Sequence, residues 1–347
     1  MNFDNRPYDL EKAPSYQKKQ DYWETSFGLQ ATDNLRPSDY LISLSKDNIE
    51  GTKSYQEIIE DLTVYYSENQ SINRTMEADF ASVRITEILA SESFTLSPAT
   101  LISYHERLFK GIEEFRYPVG KVRQENISKT EEVLGGLSVM YSDFREINTT
   151  LSYDFTQEKA KDYSELSDLE IVKEVTKFIS GVWQIHPFRE GNTRTTAVFT
   201  IKYLRSLGFE IDNEPFKKHA KYFRDALVLD NAPARISNKT FLNQFMENVL
   251  LSGKNELSSK QMLLKQLDKL SPQDVMSSFE NYSTEKLTQI LKLPKALREN
   301  LIKEVGEKQT PNAFEQRLAQ AQKERQEHKK QSSSVQETPE HTKGRSL

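Results

Sequence analysis

The sequence predicts an all-α protein in which one β-prone segment interrupts the helices. Apolar residues recur at helical spacing in DFASVRITEIL, residues 79–89, and in LISYHERLFKG, residues 101–111. The second stretch ends on a glycine, which is common at the end of a helix. Between Arg116 and Tyr141, by contrast, glycines at three positions separate short β-prone runs. This change of pattern predicts a β-hairpin there.

Two further helices are predicted to follow, with the most polar short motif of the chain between them. Ser167 and Glu170 have the spacing of a capping box, in which side chains satisfy the free N–H groups at a helix start. The helix that follows has an apolar stripe made of Ile171, Val175, Phe178, Ile179 and Val182. A second stripe, ended by Gly208, consists of Val198, Phe199, Ile201, Leu204 and Leu207. The decapeptide HPFREGNTRT, residues 186–195, therefore connects two buried helices.

The chain is predicted to have four regions. These are an N-terminal arm (1–40), a main helical domain (41–250), a small helical extension (251–319) and a disordered tail (320–347). The extension keeps helical apolar periodicity, which Pro272 and Pro294 interrupt. The tail is nearly free of large apolar residues, so it cannot bury enough surface to offset the entropy of ordering.

Composition excludes several classes of protein. The formal net charge of −5 gives no overall attraction to nucleic acid or to an anionic membrane. With no cysteine, thiolate chemistry is excluded, and the five histidines are too scattered along the chain to suggest a zinc site. The first residues contain no apolar signal-peptide core, and no stretch approaches the length of a membrane span. We therefore expect a cytoplasmic protein.

The second half of the decapeptide has the features of an anion site. Gly191 and Asn192 come directly before the predicted helix, and Thr193 is one of its first residues. Backbone N–H groups and the positive end of the helix dipole therefore meet there. Arg194 adds a guanidinium that matches phosphate oxygens, and the Asn192 amide adds a neutral donor. Phosphate is the expected ligand.

The first half of the decapeptide adds a metal ligand and a base. Glu190 would repel a bare phosphate, so we expect Mg²⁺ between them, held by this carboxylate and the phosphates. His186, with a reference pKa of about 6.5, is a candidate to take a proton from an attacking hydroxyl. Phe188 is expected to be a buried plug that fixes the loop. Each residue alone is more often structural, but a fold rarely needs all of them packed together.

These residues resemble the signature of the Fic family, HxFx(D/E)GNxR, matched here by HPFREGNTR. The resemblance extends over roughly residues 40–250. It implies an all-helical bundle with one β-hairpin flap for substrate docking, and transfer of AMP from ATP to a Tyr, Thr or Ser hydroxyl of a protein substrate. It also implies that His186 is the general base, that Glu190 holds Mg²⁺, and that Gly191, Asn192 and Arg194 bind the phosphates.

One departure from the family pattern leaves two other functions open. The fuller signature has a second arginine, which contacts the γ-phosphate, where this chain has Ala197. The Doc branch also lacks that arginine and acts as a protein kinase, but it carries alanine and lysine in place of Gly191 and Thr193. A further alternative is a non-catalytic regulatory module that binds nucleotide. The sequence leaves the formation of a homo-oligomer open.

Regulation and the outer contacts of the site are predicted from the same resemblance. Many family members carry an inhibitory helix with (S/T)xxxE(G/N), and NIEGTK here offers Glu50 as the inhibitory candidate, although Lys46 stands at the Ser/Thr position. An ordinary surface glutamate is an equal alternative. Four other residues have suggested roles in which plain packing or solvent exposure is the alternative: Ile127 and Val139 at the flap, Tyr222 beside the nucleotide, and Arg123 at a phosphate.

Overall fold

The computed structural model describes residues 14–269, 279–307 and 318–323. Helices in the first half of the chain are α1 (Tyr16–Leu29), α2 (Asp39–Glu50), α3 (Tyr55–Glu68), α4 (Thr75–Ala90), α5 (Pro98–Phe109) and α6 (Ile147–Lys159). Then come α7 (Asp168–Ile185), α8 (Asn192–Ser206), α9 (Glu214–Lys218), α10 (Ala220–Asp230), α11 (Thr240–Leu251), α12 (Ser259–Lys269), α13 (Thr284–Leu291) and α14 (Lys295–Glu307). Residues 318–323 are also helical, and short 3-10 turns occupy Gln30–Asp33 and Glu132–Leu134. The fold is all-α.

The helices lie where the apolar periodicity predicts them. Residues 79–89 fall within α4, and α5 covers most of 101–111. At the start of α7, the Glu170 carboxylate accepts a hydrogen bond from the Ser167 N–H at 2.9 Å. Gly208 follows the end of α8 with a φ of +89°. Within the described ranges, no helix is long and apolar enough to cross a bilayer.

The chain divides into two compact units, and the first contains most of the helices. Among the described residues it comprises 14–128, 139–233 and 237–257. Within it, α1 packs against α4 and α9, and buries Trp23 in a cluster with residues of α2, α3 and α4. The predicted N-terminal arm therefore includes a helix that is part of the hydrophobic core.

Two helices of the first unit frame the decapeptide. The apolar stripe of α7 packs on α6 and α11, and α8 packs on α4, α5 and α7. Nearly every residue of α8 from Asn192 to Leu204 is buried. Because α8 is enclosed on all sides, its first turn is held by several helices at once. The loop before it is thereby fixed in position.

The predicted β-hairpin at residues 116–141 is not seen. This segment is described throughout, and it has the 3-10 turn Glu132–Leu134 and no strand. Its backbone groups bond elsewhere: the Arg123 N–H donates to the Pro187 carbonyl at 2.9 Å. The Glu131 N–H donates to the Leu137 carbonyl at 3.0 Å, and the Gly136 N–H donates to the Glu131 carbonyl at 2.9 Å. The chain reverses direction there, but the residues on either side of the reversal are not in strands.

The second unit contains the C-terminal helices. Its described residues are 129–138, 234–236, 258–269, 279–307 and 318–323. Within it, α12 packs against α13 and against the 3-10 turn Glu132–Leu134. Pro294 separates α13 from α14, at one of the two breaks predicted for the extension. The other predicted break, Pro272, lies outside the described residues, and so does the predicted tail from residue 324 onward.

Candidate functional site

The loop between α7 and α8 begins and ends on residues in left-handed backbone conformations. His186 is the C-cap of α7 with φ +52° and ψ +59°, and Gly191 is the N-cap of α8 with φ +77° and ψ +9°. Left-handed residues commonly end helices, but a non-glycine residue in this region is strained. Such strain persists only where the surroundings hold it, and functional sites are where it is usually found.

The His186 imidazole is buried and its tautomer is fixed. Its Nδ1 lies 3.2 Å from the Trp183 carbonyl, which can only accept, so Nδ1 carries the proton. In the neutral ring, Nε2 then carries the lone pair, which is the form that a general base requires. Tyr141 stacks on the ring with centroids 4.0 Å apart, and Trp183 meets it edge-on at 5.2 Å. These contacts fix the direction of Nε2.

Arg123 holds the backbone around His186. Its Nε donates to the His186 carbonyl at 2.9 Å, its Nη1 to the Glu125 carbonyl at 2.7 Å, and its Nη2 to the carbonyls of Ser142 and Ile185. The side chain is 4% exposed. Burial lowers the pKa of this guanidinium, an effect that the nearby Asp143 charge opposes. The sequence suggested that Arg123 contacts a phosphate or faces solvent. Instead, its guanidinium donates hydrogen bonds to four carbonyl groups.

His105 of α5 fixes the carbonyl of Glu190. The Gly120 N–H donates to His105 Nδ1 at 2.9 Å, so the proton is on Nε2, which donates to the Glu190 carbonyl at 3.0 Å. Burial is the main cause that lowers the pKa of His105 to about 4; the bond to the Glu190 carbonyl opposes this shift, and the Arg194 charge adds to it. The neutral imidazole is the form that both hydrogen bonds require.

Phe188 and Gly191 pack against α5. Phe188 is buried and stacks on the His105 ring at 3.8 Å, which confirms its predicted role as a plug. A Cβ added to Gly191 would lie 2.4 Å from Cε2 of Phe109. Both this close approach and the positive φ require glycine at position 191.

The first two side chains of α8 brace the loop. Asn192 donates to the Phe188 carbonyl at 2.8 Å, and the Phe188 N–H donates back to its Oδ1 at 3.0 Å. Thr193 Oγ1 accepts from Trp183 Nε1 at 3.0 Å. The sequence suggested the Asn192 amide as a phosphate donor, but here it bonds to the backbone. The backbone N–H groups of Asn192, Thr193 and Arg194 have no intrahelical acceptor, by the geometry of a helix start.

Arg194 is fully buried among acidic groups. Its Nε contacts Asp33 at 2.6 Å, its Nη2 contacts Glu77 at 2.5 Å, and its Nη1 donates to Gln30 at 3.2 Å. Its guanidinium also lies 4.7 Å from the centroid of the Phe109 ring. The expectation that this side chain presents its fork to phosphate is therefore not met in this arrangement, because protein groups already contact all three nitrogens.

Arg74, at the N-cap of α4, also binds Glu77. It donates through Nε to Oε2 at 3.0 Å and through Nη2 to Oε1 at 2.7 Å. Its side chain is 41% exposed, whereas that of Glu77 is completely buried. The sequence analysis did not select this arginine.

Four other predicted residues lie in varied positions. Glu50 is exposed at the end of α2, and the carboxylates that contact Arg194 are Asp33 and Glu77 instead. Tyr222 is buried in α10, and its ring centroid lies 6.2 Å from that of Phe241 and 6.4 Å from that of Phe245. This matches the alternative in which Tyr222 packs in the core. Burial raises the pKa of its hydroxyl. Val139 is buried and Ile127 half-buried.

Sequence reasoning missed the residues that support the loop from other helices. The missed group is Gln30, Asp33, Arg74, Glu77, His105 and Tyr141. A signal existed for His105, because it lies on the buried face of α5 with Leu101, Tyr104 and Leu108. A histidine on an apolar stripe needs hydrogen-bond partners nearby. No comparable signal exists for Asp33 and Glu77, which are 161 and 117 positions from Arg194 and meet it only through the fold.

The donor set at Glu190 fits Mg²⁺. Within the described ranges, no group of three or more His, Asp or Glu is arranged to hold a metal. Mg²⁺ in phosphate-transfer sites needs no such cluster, because one or two carboxylates and the substrate phosphates hold it. Glu190 is half-buried at the start of α8, and its Oε1 accepts from the Gly191 N–H at 3.1 Å. Its carboxylate thus lies where the free N–H groups of α8 begin.

Comparison with known proteins identifies a family for part of the chain. Residues 95–204 match the model of the Fic/DOC family. No curated protein matches the chain. Among solved structures, it is similar to the N-terminal FIC domain of Bep8, a VirB-translocated effector protein from Bartonella sp. 1-1C. That similarity has 19% identity and a TM-score of 0.40, and covers 52% of this chain and 88% of the other.

Proposed function

We propose that the chain, whose residues 95–204 match the Fic/DOC family, is a protein adenylyltransferase that uses Mg²⁺ and ATP. In the proposed reaction, AMP passes from ATP to a Tyr, Thr or Ser hydroxyl of a protein substrate. The loop from His186 to Gly191 lies within the matched residues. We propose the cytoplasm, where ATP is available, as the site of the reaction.

One observation carries this proposal: an oriented base and a buried helix start lie at the two ends of one short loop. At the first end, His186 Nδ1 lies against the Trp183 carbonyl, so in the neutral ring Nε2 bears the lone pair. At the second end, α8 begins with N–H groups that no helical carbonyl accepts. A base can accept the proton of the attacking hydroxyl, while the N–H groups at the helix start can bind the phosphate that is attacked. A site that only bound nucleotide would not need the base.

The proposed chemistry is a displacement at the α-phosphorus. The acceptor hydroxyl oxygen forms a bond to this phosphorus, and the bond from the phosphorus to the β-phosphate oxygen breaks. His186 Nε2 takes the hydroxyl proton, and pyrophosphate leaves. Phosphoryl-type transfer depends mainly on positioning and charge stabilisation, which the N–H groups of Asn192, Thr193 and Arg194 would supply.

Glu190 is the residue that would hold Mg²⁺. The bound metal would neutralise charge on the polyphosphate and on its leaving group. His105 contributes by fixing the Glu190 carbonyl, and Phe188 by packing beneath the loop. The carboxylate therefore projects from a backbone that is held on both sides.

The protein substrate is proposed to dock on the segment 116–141, in the role of the family's flap. A target segment would pair with extended backbone there by strand addition, which reads the main chain more than side chains. Ile127 and Val139 remain the candidate residues at its edge. Tyr141 connects this segment to the base, because its ring stacks on His186.

Labelled ATP separates the proposed activity from the two alternatives. The protein is incubated with cell extract and Mg²⁺, using ATP labelled with ³²P at the α-phosphate or, in parallel, at the γ-phosphate. An adenylyltransferase transfers only the α-label to protein, and a kinase transfers only the γ-label. If neither label is transferred while ATP binds, the domain is a nucleotide-binding module and the proposed activity is wrong.

A further inference from the structure

Two guanidinium groups meet on one carboxylate oxygen near the α7–α8 loop. Arg74 Nη2 lies 2.7 Å and Arg194 Nη2 lies 2.5 Å from Oε1 of Glu77. The two nitrogens are therefore at most about 5.2 Å apart, the sum of these two distances. Two positive groups this close favour an anionic oxygen between them. Here a side chain of the protein supplies that oxygen.

The two arginines differ in what a ligand can reach. Arg194 is fully buried, and Asp33, Gln30 and Glu77 contact its three nitrogens. Arg74 uses Nε and Nη2 for Glu77, its Nη1 donates no hydrogen bond within the described ranges, and its side chain is 41% exposed. A ligand that enters from solvent therefore meets Arg74 and not Arg194.

The backbone holds Arg74 in place. Asn73 and Arg74 have φ angles of +55° and +60°, a left-handed pair directly before α4. Two consecutive non-glycine residues in the left-handed conformation cost conformational energy. Such strain is usually found at functional sites, where the surrounding structure maintains it. The bidentate bond to Glu77 then fixes the direction of the guanidinium. Arg74 is thus preorganised despite its exposure.

The charges near Arg74 determine which anion can bind. Burial lowers the pKa of Arg74, but the bonds to Glu77 and the charges of Asp33 and Glu190 raise it overall. Glu190 therefore acts electrostatically on this guanidinium, which relates Arg74 to the proposed metal ligand. Three carboxylates against two guanidiniums repel a bare phosphate. Mg²⁺ held between the Glu190 carboxylate and a polyphosphate would offset this repulsion, so a metal-bound polyphosphate can bind.

We propose that Arg74 binds the terminal phosphate of a Mg²⁺-bound nucleoside triphosphate. The buried Arg194 helps to hold the Glu77 carboxylate that orients Arg74. This inference rests on the proposed function of the loop between His186 and Gly191. It assigns the γ-phosphate contact to a residue outside the segment 95–204 that matches the family. Position 197, occupied by a buried alanine, has no side chain able to make that contact.

The test compares binding of ATP, ADP and AMP, each with Mg²⁺, by titration calorimetry on the full chain. The variant is Arg74→Ala. Its matched control is Arg107→Ala, since the Arg107 side chain is also 41% exposed and pairs with a glutamate, Glu87, at 3.4 Å. A charge-assisted hydrogen bond is worth about 1.5–3 kcal/mol, so Arg74→Ala should weaken ATP binding at least about tenfold. AMP binding should change less than about twofold, and Arg107→Ala should change neither.

Each other outcome overturns the inference. If Arg74→Ala binds ATP as tightly as Arg107→Ala does, Arg74 does not contact the nucleotide. Equal weakening of all three nucleotides would show that Arg74 only supports the fold of the site. If the wild-type chain binds no nucleotide at all, the proposed function falls first, and this inference with it. If the alanine variant unfolds, Arg74→Lys, which keeps the charge but not the guanidinium fork, replaces it and should weaken the binding of ATP more than that of AMP.

Discussion

Among single residues, His105 is the clearest case of a side chain whose protonation state the fold determines. Its ring accepts from Gly120 and donates to Glu190, and a doubly protonated ring could no longer accept. Burial lowers its pKa from 6.5 to about 4. The folded state therefore binds this proton more weakly than the unfolded state does.

We predict that His105 makes the protein less stable as the pH falls from about 6.5 to about 4. Between these values the unfolded chain is protonated at this position and the folded chain is not, so the free energy of unfolding rises with pH. The full shift corresponds to about 3 kcal/mol. His105→Gln, which keeps a donor and an acceptor but does not titrate, should flatten this slope in urea unfolding measured at several pH values. An unchanged slope would mean that other groups cause the pH dependence.

The roles of single residues were easiest to predict where they depend on residues nearby in the sequence. HPFREGNTRT identified the loop because glycine, asparagine and charged groups rarely pack together without a role. The sequence could not show that the Asn192 amide bonds to Phe188, because that contact depends on the loop conformation. Glu50 was selected by a motif alone, and the fold places Glu77 and Asp33 against Arg194 instead.

At the scale of helices and loops, the junction of α8 with α5 depends on the absence of a side chain at Gly191. We predict that Gly191→Ala lowers the free energy of unfolding by about 2–5 kcal/mol, the sum of a left-handed backbone cost and overpacking against Phe109. Gly208→Ala is the matched control, since its φ is +89° but no atom lies within 4 Å of an added Cβ. It should cost only about 1–2 kcal/mol.

The difference between the two glycine variants measures the steric conflict alone. In a Phe109→Leu background, Gly191→Ala should lower the free energy of unfolding by less, because the smaller side chain leaves room for the added methyl group. Chemical denaturation of the single and double variants measures this difference. If Gly191→Ala and Gly208→Ala cost the same, the approach of Phe109 to Gly191 is looser than the structure indicates.

Arg123 connects the segment 116–141 to the end of α7. We predict that Arg123→Lys lowers the free energy of unfolding by about 2–3 kcal/mol, because an ammonium cannot reach all four carbonyls that the guanidinium binds. Arg116→Lys, at an exposed position of the same segment, is the control and should change stability by less than about 0.5 kcal/mol. Thermal unfolding of both variants checks this, and equal stabilities would contradict the role assigned to Arg123.

Helices were predicted well from sequence, and the segment 116–141 was not. The helices have stripes that a 3.6-residue period reveals, since one face of each is buried. In the segment 116–141, glycines and β-prone residues pointed to a hairpin, but no strand forms there and the Arg123 N–H bonds to Pro187. Local composition cannot show this, because Pro187 lies some 60 positions further along the chain.

At the scale of the whole molecule, Arg194 joins α8 to parts of the chain that precede residue 95. Its partners Gln30 and Glu77 are 164 and 117 positions away in sequence. Such pairings follow from the packing of the 3-10 turn Gln30–Asp33 and of α4 against α8, and no sequence pattern indicates them. The helices before residue 95 therefore belong to the support of the site.

We predict that Arg194→Ala lowers the free energy of unfolding by about 3–5 kcal/mol, because it leaves the buried carboxylate of Glu77 and that of Asp33 without their shared cation. Arg74→Ala removes the half-exposed partner of the same glutamate and should cost only about 1 kcal/mol. Urea unfolding of both variants distinguishes the buried arginine from the accessible one. Similar losses would show that Arg194 is less essential to the fold than its burial indicates.

We propose that the loop between α7 and α8 transfers AMP with His186 as the base, and one comparison tests this most directly. Wild type and His186→Ala are incubated with α-³²P-ATP, Mg²⁺ and cell extract, with ATP binding measured on the same samples. We predict that His186→Ala binds ATP nearly as wild type does but transfers at least about a hundredfold less label, because the base acts only on the attacking hydroxyl. Label transfer by His186→Ala at the wild-type rate would contradict the account.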